Sequence, residues 1–234
     1  MSLARAHPRL GVGVHLNIVR GRPLSPPASV PDLVGPDGRL RPFRWRRCTP
    51  AFLAQAELEY TAQIARVRGA GICPTHIDFE KHHAWQGALY AAACRAARAQ
   101  GITAVRCLTE PVAWAVRRLG WPGAHRYFMA CLLRAGTTGC PTPPGMRRPD
   151  RLLGQTHIGR MDTDIWMRLL AALPDGTSEV MTHPGDAEPP DAPAAMGASW
   201  LGHARQKERE ALMAPRVREL VHALGIELVQ YGQL

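Results

Sequence analysis

Several features that mark particular classes of protein are missing from this 234-residue sequence. No apolar run approaches the ~20 residues that a membrane helix needs, so no membrane span is expected. The N-terminal residues, MSLARAHP, lack the apolar core of a signal peptide. The HExxH, GxSxG, Walker and dinucleotide-binding glycine patterns are also absent, so none of these motifs can supply the chemistry.

Paired cysteines are missing as well. The chain has six cysteines, but they are scattered and form no CxxC motif. This spacing indicates reduced thiols in a cytoplasmic protein rather than a disulfide framework. The residues are Cys48, Cys73, Cys94, Cys107, Cys131 and Cys140.

Lysine is scarce although the chain is strongly basic. Only Lys81 and Lys207 are lysines among 29 basic residues, and the formal net charge is +10. The arginines are dispersed apart from a short cluster within residues 41–47, and no basic run alternates with aromatic residues. An arginine-rich solvated surface explains this pattern better than nucleic-acid binding, so no nucleic-acid partner is expected.

The sequence THIDFEKHH at 75–83 is dense in groups that bind metals or move protons. It holds three histidines and two carboxylates. His76 and Asp78 alternate on a predicted strand, so they face the same side, and Glu80 continues that face if the strand persists. Imidazole and carboxylate together suit Zn²⁺, Mn²⁺, Ni²⁺ or Mg²⁺. The alternative is that these are solvated polar residues of a loop.

Apolar periodicity predicts alternating strands and helices, which is typical of parallel strands joined by crossover helices. An α/β barrel and an open parallel sheet both fit this succession. A proline- and glycine-rich loop is predicted at 20–50 and another loop at 186–198. The predicted strands are 11–18, 72–79, 102–108, 178–182 and 226–231. The predicted helices are 50–68, 86–100, 112–118, 124–135, 163–173 and 204–224.

Three histidine-bearing pieces fall at the carboxyl ends of predicted strands: His15, the stretch 76–83 and His183. Because the carboxyl ends of parallel strands gather at one face, these pieces are expected to form one site. A metal with an open coordination position would polarise a carbonyl and produce hydroxide near neutral pH. A second imidazole could then protonate the leaving group.

Short motifs follow one another over nearly the whole chain: LGVGVHLN (10–17), GRPL (21–24), PTHID (74–78), LLAALP (169–174), EVMTHPG (179–185), RQKE (205–208) and GIEL (225–228). Their residues and their order resemble those of the YdjC-like carbohydrate deacetylases. That family includes chitooligosaccharide deacetylases and a branch found with hopanoid biosynthesis genes.

The resemblance implies a distorted (β/α) barrel of the NodB and YdjC deacetylase type, a divalent metal (magnesium or zinc) and hydrolysis of an N-acetyl group from an amino sugar. His15 matches the family's first metal-binding histidine. His183 matches the histidine of its late His-Pro motif, a proton donor or site-shaping residue. Arg205 and Glu208 match its C-terminal arginine and glutamate, which are expected to be structural or to line the site.

The chain departs from the family pattern at its second ligand. The family has His-x-Asp-x-His, whereas Glu80 stands here in the last position and His82 keeps the next histidine. The expected metal ligands are therefore His15, Glu80 and His82, with the choice between Glu80 and His82 open, and the catalytic candidates are Asp78 and His183. Substrate contacts are expected from Asn17, His76, His83 and Arg205.

A second departure concerns the start of the chain. The family begins with a strand carrying an Asp-Asp motif, which supplies a metal ligand and the general base, and this chain contains no Asp-Asp pair. It begins at what resembles the helix before a later strand, so 1–234 is expected to be a single YdjC-like domain that lacks its first strand. An incomplete barrel would expose strand edges, which favours instability or a homo-oligomer.

Three hypotheses follow for function. The first is a metal-dependent deacetylase acting on an N-acetylated sugar once the strand with the Asp-Asp motif is restored, with the metal and the sugar open. Without that strand, weak or no activity is expected, because a metal ligand and the general base are missing. The second is a family member that is catalytically impaired and serves as a binding protein. The third is a basic, nucleic-acid-associated module.

Overall fold

The computed structural model describes residues 2–42, 48–137, 142–187 and 202–234. These residues form a mixed α/β chain that divides into two compact units. The first unit comprises Met1–Leu108, Gly136–Arg148 and Val229–Leu234, and the second comprises Thr109–Ala135 and Pro149–Leu228. The single domain and the barrel expected from the sequence stay predictions. Most of the arginine cluster at 41–47 and of the loop predicted at 186–198 lies outside the described residues, as does Cys140.

Eight helices and four strands are described, and their order is mostly the one predicted from periodicity. The strands are β1 (Gly13–Leu16), β2 (His76–Phe79), β3 (Arg151–Leu153) and β4 (Ser178–Val180). The helices are α1 (Ser2–Ala6), α2 (Pro50–Gly69), α3 (Gly87–Ala99), α4 (Val112–Leu119), α5 (Ala124–Thr137), α6 (Thr163–Ala171), α7 (His203–Met213) and α8 (Pro215–Ala223).

The first unit is organised around the parallel pairing of β1 with β2. The register places Val14 opposite Ile77 and His15 opposite Asp78. Val14 and Leu16 are buried while His15 is exposed, so the period-two alternation predicted for this strand is confirmed. The pairing therefore places the apolar side chains in the core and the imidazole of His15 on the polar face.

Helix α2 packs on this strand pair. Thr49 caps its N-terminus by accepting a hydrogen bond from the Phe52 amide, and Pro50 occupies the first turn, where no amide donor is needed. Ala56, Tyr60 and Ile64 recur at a spacing of four and are completely buried. The predicted helix is confirmed, and its apolar face contributes much of the core of the first unit.

The strand predicted at 102–108 is largely wrong, because the segment pairs only at single residues. Val105 forms a parallel bridge with Ile77, and Ala104 forms one with Arg147. The Arg106 amide donates to the Ile77 carbonyl at 3.0 Å. The segment is nevertheless held beside β2, and this position matters for the side chain of Arg106.

The second unit contains the parallel pair β3 and β4, with Leu152 opposite Glu179. β4 was predicted, but β3 was not, because its three residues are too few for a periodic signal. Asp162 caps α6 by accepting from the Ile165 amide at 2.9 Å, which decides between Asp162 and Thr163, the two N-cap residues that the sequence allows. Trp166 and Leu169 of this helix are buried in the core of the unit.

Two predictions for the C-terminal region are wrong. The helix predicted at 204–224 is two helices, because Pro215 has no amide to donate and starts α8 after an extended Ala214. The strand predicted at 226–231 does not form in the described structure. Instead, Gln230 and Gln233 exchange side-chain and backbone hydrogen bonds around a short 3₁₀ turn, Tyr231–Gln233.

Membrane-spanning helices and disulfides are two further features to compare with the sequence. No helix within the described ranges is long and apolar enough to cross a membrane. The cysteines at 48, 73, 94, 107 and 131 form no disulfide with one another.

A buried carboxylate of α2 gives the first testable prediction. Glu59 is fully buried and accepts hydrogen bonds from the amides of Leu24 and Ser25 at 2.9 and 2.8 Å. Glu59→Ala leaves both donors without this partner, and the Ser25 amide is buried, so we expect a loss of about 2–4 kcal/mol in the free energy of unfolding. Urea denaturation followed by circular dichroism measures it.

The matched control is Glu57→Ala on the same helix. Glu57 forms a partly exposed ion pair with Arg95 and should contribute less than about 1 kcal/mol. Equal losses in the two variants would contradict the role assigned to Glu59.

Candidate active site

The carboxyl ends of β1 and β2 bring an imidazole between two carboxylates. His15 Nδ1 lies 2.9 Å from Asp78 Oδ2, and His15 Nε2 lies 3.0 Å from Glu80 Oε2. The parallel register explains the arrangement, because it places Asp78 beside His15 and Glu80 one step beyond the end of β1. Asp78 and Glu80 are largely buried, whereas the His15 side chain is 52% exposed. The structure therefore brings together three of the predicted site residues.

Two arginines extend this cluster at either end. Arg106 lies 2.6 Å from Asp78 Oδ2 and is mostly buried, and Arg20 lies 3.0 Å from Glu80 Oε1 and is more exposed. Charges of opposite sign thus alternate along the row Arg106, Asp78, His15, Glu80 and Arg20. The two guanidinium groups compensate the carboxylates and fix one oxygen of each.

A side-chain turn at Asn17 orients the segment that carries Arg20. Asn17 Oδ1 accepts from the amides of Val19 and Arg20 at 2.9 and 3.3 Å, and Nδ2 donates to the Arg20 carbonyl at 2.9 Å. Gln63 of α2 binds the backbone amide and carbonyl of Asn17. Asn17 therefore turns the chain at the exit of β1, and its role as a substrate contact stays a prediction.

The electrostatics of the cluster favour ionised groups. Burial opposes the charge on His15, but the hydrogen bonds and negative charges of Asp78 and Glu80 prevail and raise its pKa to about 9. Burial also opposes ionisation of Asp78, yet its bond to His15 and the charge of Arg106 hold its pKa below the ordinary value. The bond to His15 lowers the pKa of Glu80.

The chain turns sharply after Glu80. Lys81 and His82 have φ values of 51° and 49°, the left-handed region that residues other than glycine seldom adopt. Two such residues in succession store backbone strain of ~1 kcal/mol or more each, which persists only where surrounding contacts hold it. The His82 side chain is half-buried, and its role as a metal ligand stays a prediction.

His83 lies in the core of the first unit, 3% exposed. Its Nδ1 donates to the Glu80 carbonyl at 2.8 Å, so Nε2 accepts from the Tyr60 hydroxyl at 2.8 Å. Burial lowers its pKa to about 4, which keeps the ring neutral. These contacts hold the turn that follows Glu80, and a substrate contact by His83 stays a prediction.

His76 precedes Asp78 by two residues on β2 and interacts electrostatically with Asp78 and Arg106. Its ring stacks on Tyr231 with centroids 3.8 Å apart, and Nδ1 lies 3.0 Å from the Thr75 hydroxyl. The ring also passes over Gly13, where any side chain would collide with it. Burial lowers the pKa of His76 to about 4. Its contacts are thus structural, and its predicted role towards substrate is not tested.

The late His-Pro motif belongs to the second unit, where Glu208 holds it in place. The completely buried Glu208 accepts from the His183 amide at 2.5 Å, the Thr182 hydroxyl at 2.9 Å and the Gly159 amide at 2.6 Å. Arg205 approaches Gly185, whose amide donates to the Arg205 carbonyl. The convergence of His183 and Arg205 with His15 in one site stays a prediction.

The donor set at His15 fits part of a divalent metal shell. An octahedral ion bound at roughly 2.1 Å places neighbouring ligand atoms about 3 Å apart, and His15 Nε2 and Glu80 Oε2 have this spacing. Metal-bound histidines commonly donate their other nitrogen to a carboxylate, as Nδ1 does to Asp78. Across the described ranges, however, no three or more His, Cys, Asp or Glu side chains are arranged to hold an ion.

The protein is therefore a mixed α/β protein, and its parallel pair β1–β2 ends in a histidine–carboxylate cluster. The sequence profile of the YdjC-like protein family matches residues 1–223. The chain therefore belongs to the YdjC-like family, which confirms the resemblance found in its motifs.

Individual relatives agree with this assignment. The chain is 29% identical to a carbohydrate deacetylase of Geobacillus stearothermophilus over 232 residues, which span 99% of this chain and 79% of that one. It is 36% identical to a chitooligosaccharide deacetylase of Serratia marcescens over 104 residues, 43% of this chain and 40% of the relative.

A crystal structure shares the fold. It is that of a candidate cellobiose-phosphate cleavage protein from Enterococcus faecalis V583, with a TM-score of 0.68 and 22% identity, and the match covers 99% of this chain and 81% of that one.

Three residues that shape the site are not indicated by the sequence motifs, namely Arg20, Arg106 and Tyr60. Arg106 lies on the segment 102–108, which pairs only through isolated bridges and shows no regular alternation of buried and exposed residues, so no local pattern indicates that its side chain reaches Asp78. No local pattern indicates that Arg20 or Tyr60 reaches the stretch 76–83, because both contacts join positions distant in sequence.

The different exposure of the two arginines gives the second prediction. Arg106→Met removes the guanidinium from the buried Asp78, so we expect about 2–4 kcal/mol of destabilisation. Arg20→Met acts at a more exposed pair and should cost less than about 1 kcal/mol. Urea unfolding of both variants measures the two losses in the free energy of unfolding. Equal losses would contradict the larger stabilisation expected for the more buried pair, Arg106–Asp78.

Proposed function

We propose that this protein is a metal-dependent hydrolase that removes an N-acetyl group from an amino sugar. The proposal rests on the His15 imidazole held between Asp78 and Glu80 at the ends of parallel strands. Membership of the YdjC-like family supports it, as do relatives named carbohydrate deacetylase and chitooligosaccharide deacetylase. The substrate class is an N-acetylated sugar or oligosaccharide.

His15 Nε2 and Glu80 would hold the divalent ion, magnesium or zinc, with His82 as the further candidate ligand. When bound, such an ion polarises the acetyl carbonyl and lowers the pKa of a water. Asp78 accepts the Nδ1 proton of His15, so it fixes the ring orientation and directs Nε2 towards Glu80. Arg106 keeps Asp78 ionised for this task.

His183 is the proposed proton donor to the leaving amine. Its backbone is fixed because Glu208 accepts from the amides of His183 and Gly159. A rigid backbone at this position limits the orientations available to the imidazole, which general acid catalysis requires. Arg205, which lies against Gly185 in the same unit, is proposed to contact the substrate.

Acetate release tests the proposed reaction. With N-acetylated chitooligosaccharides and added divalent metal, we expect weak turnover by this chain, which contains no Asp-Asp pair, and a loss of at least about 100-fold in kcat/KM for His15→Ala. Glu57→Ala, on the exposed side of α2, is the control and should keep full activity. Activity that survives His15→Ala would refute the assigned site.

Metal affinity separates the two candidate ligands. Glu80 Oε2 lies 3.0 Å from His15 Nε2, so Glu80→Gln should weaken binding of Mn²⁺ or Zn²⁺ by at least about 10-fold in equilibrium dialysis. His82→Ala should change the affinity little. The reverse ranking would assign the ligand to His82 instead.

A binding protein without catalysis is the second candidate. One observation favours it: both nitrogens of His15 already face carboxylates, and both carboxylates face arginines. Such a closed row of ion pairs is stable without a metal. Saturable sugar binding in calorimetry, without acetate release at any metal concentration, would favour this candidate over the enzyme.

A further inference from the structure

Helix α5 of the second unit presents an apolar face to solvent. Phe128 and Leu132 are 63% and 41% exposed and lie one turn apart, so they share that face, and Met129 beside them is 38% exposed. Ala130 is the one buried side chain among those described in α5. A helix with this pattern lacks a partner for its apolar surface within the described chain.

Two aromatic side chains continue this surface at the start of the helix. Trp121 and Tyr127 are exposed, and their rings contact each other with centroids 5.1 Å apart. Tryptophan and tyrosine are the residues most enriched at the boundary between lipid and water, because their rings combine an apolar body with a polar end.

The charge around this face has one sign. No aspartate or glutamate occurs from residue 111 to 149, whereas four arginines fall within 112–137. They are Arg117, Arg118, Arg126 and Arg134. An apolar helix among cations complements a surface that is apolar inside and negatively charged outside.

A cationic pocket of about 330 Å³ adjoins the same surface and shares Trp121 with it. Arg160, Arg168 and Lys207 line it. Within the described ranges none of the three lies within ion-pair distance of a carboxylate. Asp162 also lines the pocket, and its carboxylate accepts a hydrogen bond from the Ile165 amide as the N-cap of α6.

The buried His157, which lines this pocket, shows that positive charge is concentrated there. Burial lowers its pKa, and the charges of Arg160, Arg168 and Arg126 lower it further. Several guanidinium groups therefore act on one small volume, which is the electrostatic requirement for binding a phosphate.

We propose that α5 and this pocket form a docking surface for an anionic phospholipid bilayer. The face with Phe128, Met129 and Leu132 enters the interface, Trp121 lies at the headgroup level, and the pocket takes a headgroup phosphate. The protein would lie on the membrane by this surface. A second copy is the poorer occupant, because a two-fold interface would oppose the arginines of both copies.

Vesicle co-sedimentation tests this proposal with the full chain. We expect binding to vesicles of phosphatidylglycerol and phosphatidylcholine, weaker binding at high salt, and little binding to phosphatidylcholine alone. Phe128→Asp should weaken binding at least about tenfold. The control, Leu58→Asp, changes an exposed leucine of α2 in the same way and should bind normally.

The charge contribution is tested separately by Arg168→Gln with Lys207→Gln. Each basic residue near an anionic surface is worth about a fivefold change in affinity, so the double variant should bind roughly 25-fold more weakly. Arg66→Gln, at an exposed position of α2, is the control for loss of charge. Circular dichroism confirms that each variant is folded.

Four outcomes would overturn the proposal. The first is no preference for anionic vesicles at low salt. The second is that neither Phe128→Asp nor the double variant binds less than its control. The third is a dimer in light scattering that Phe128→Asp dissociates while vesicles fail to bind, which would assign the surface to a second copy. The fourth is saturable binding of inorganic phosphate without vesicle binding, which would assign the pocket to a soluble anion.

Discussion

The parallel pairing of β1 with β2 in a single register is the constraint on which the site depends. It places His15 beside Asp78 and brings Glu80 to the end of β1. A slip by one residue would turn His15 towards the core and Val14 towards solvent, which the burial of Val14 and Leu16 forbids. The hydrophobic effect therefore fixes the register, and the register then fixes the distances between charged groups.

The strand β1 and the grouping of His15 with the stretch 76–83 could be inferred from the sequence, because both follow from patterns of neighbouring residues. Alternation over 11–18 identified β1 and the exposed side of His15, and the strand-end rule grouped His15 with the stretch 76–83. The positions of Arg20 and Arg106 could not be obtained in this way. Each meets its carboxylate through tertiary contacts, and the segment of Arg106 pairs only at isolated bridges.

The histidines of the stretch 76–83 show that several ligand-type residues close together in sequence need not all act as ligands. His76 stacks on an aromatic ring and His83 bonds to Tyr60 and a backbone carbonyl, so burial keeps both neutral. His82 follows a strained turn. Because neighbouring side chains leave the backbone in different directions, one short stretch supplies a core contact, a stacked ring and a site residue. The bonds of His83 also hold the turn that sets the direction of Glu80.

Negatively and positively charged side chains differ in how deeply they are buried, both at this site and elsewhere in the described chain. Asp78, Glu80 and three further glutamates are buried, whereas every arginine and lysine whose burial is described is exposed or only partly buried. The three further glutamates are Glu59, Glu110 and Glu208. Each of them accepts hydrogen bonds from backbone amides, so carboxylates hold loops and turns together from inside. The surface is consequently more basic than the formal charge of +10 indicates, and negatively charged partners meet arginines with few competing carboxylates.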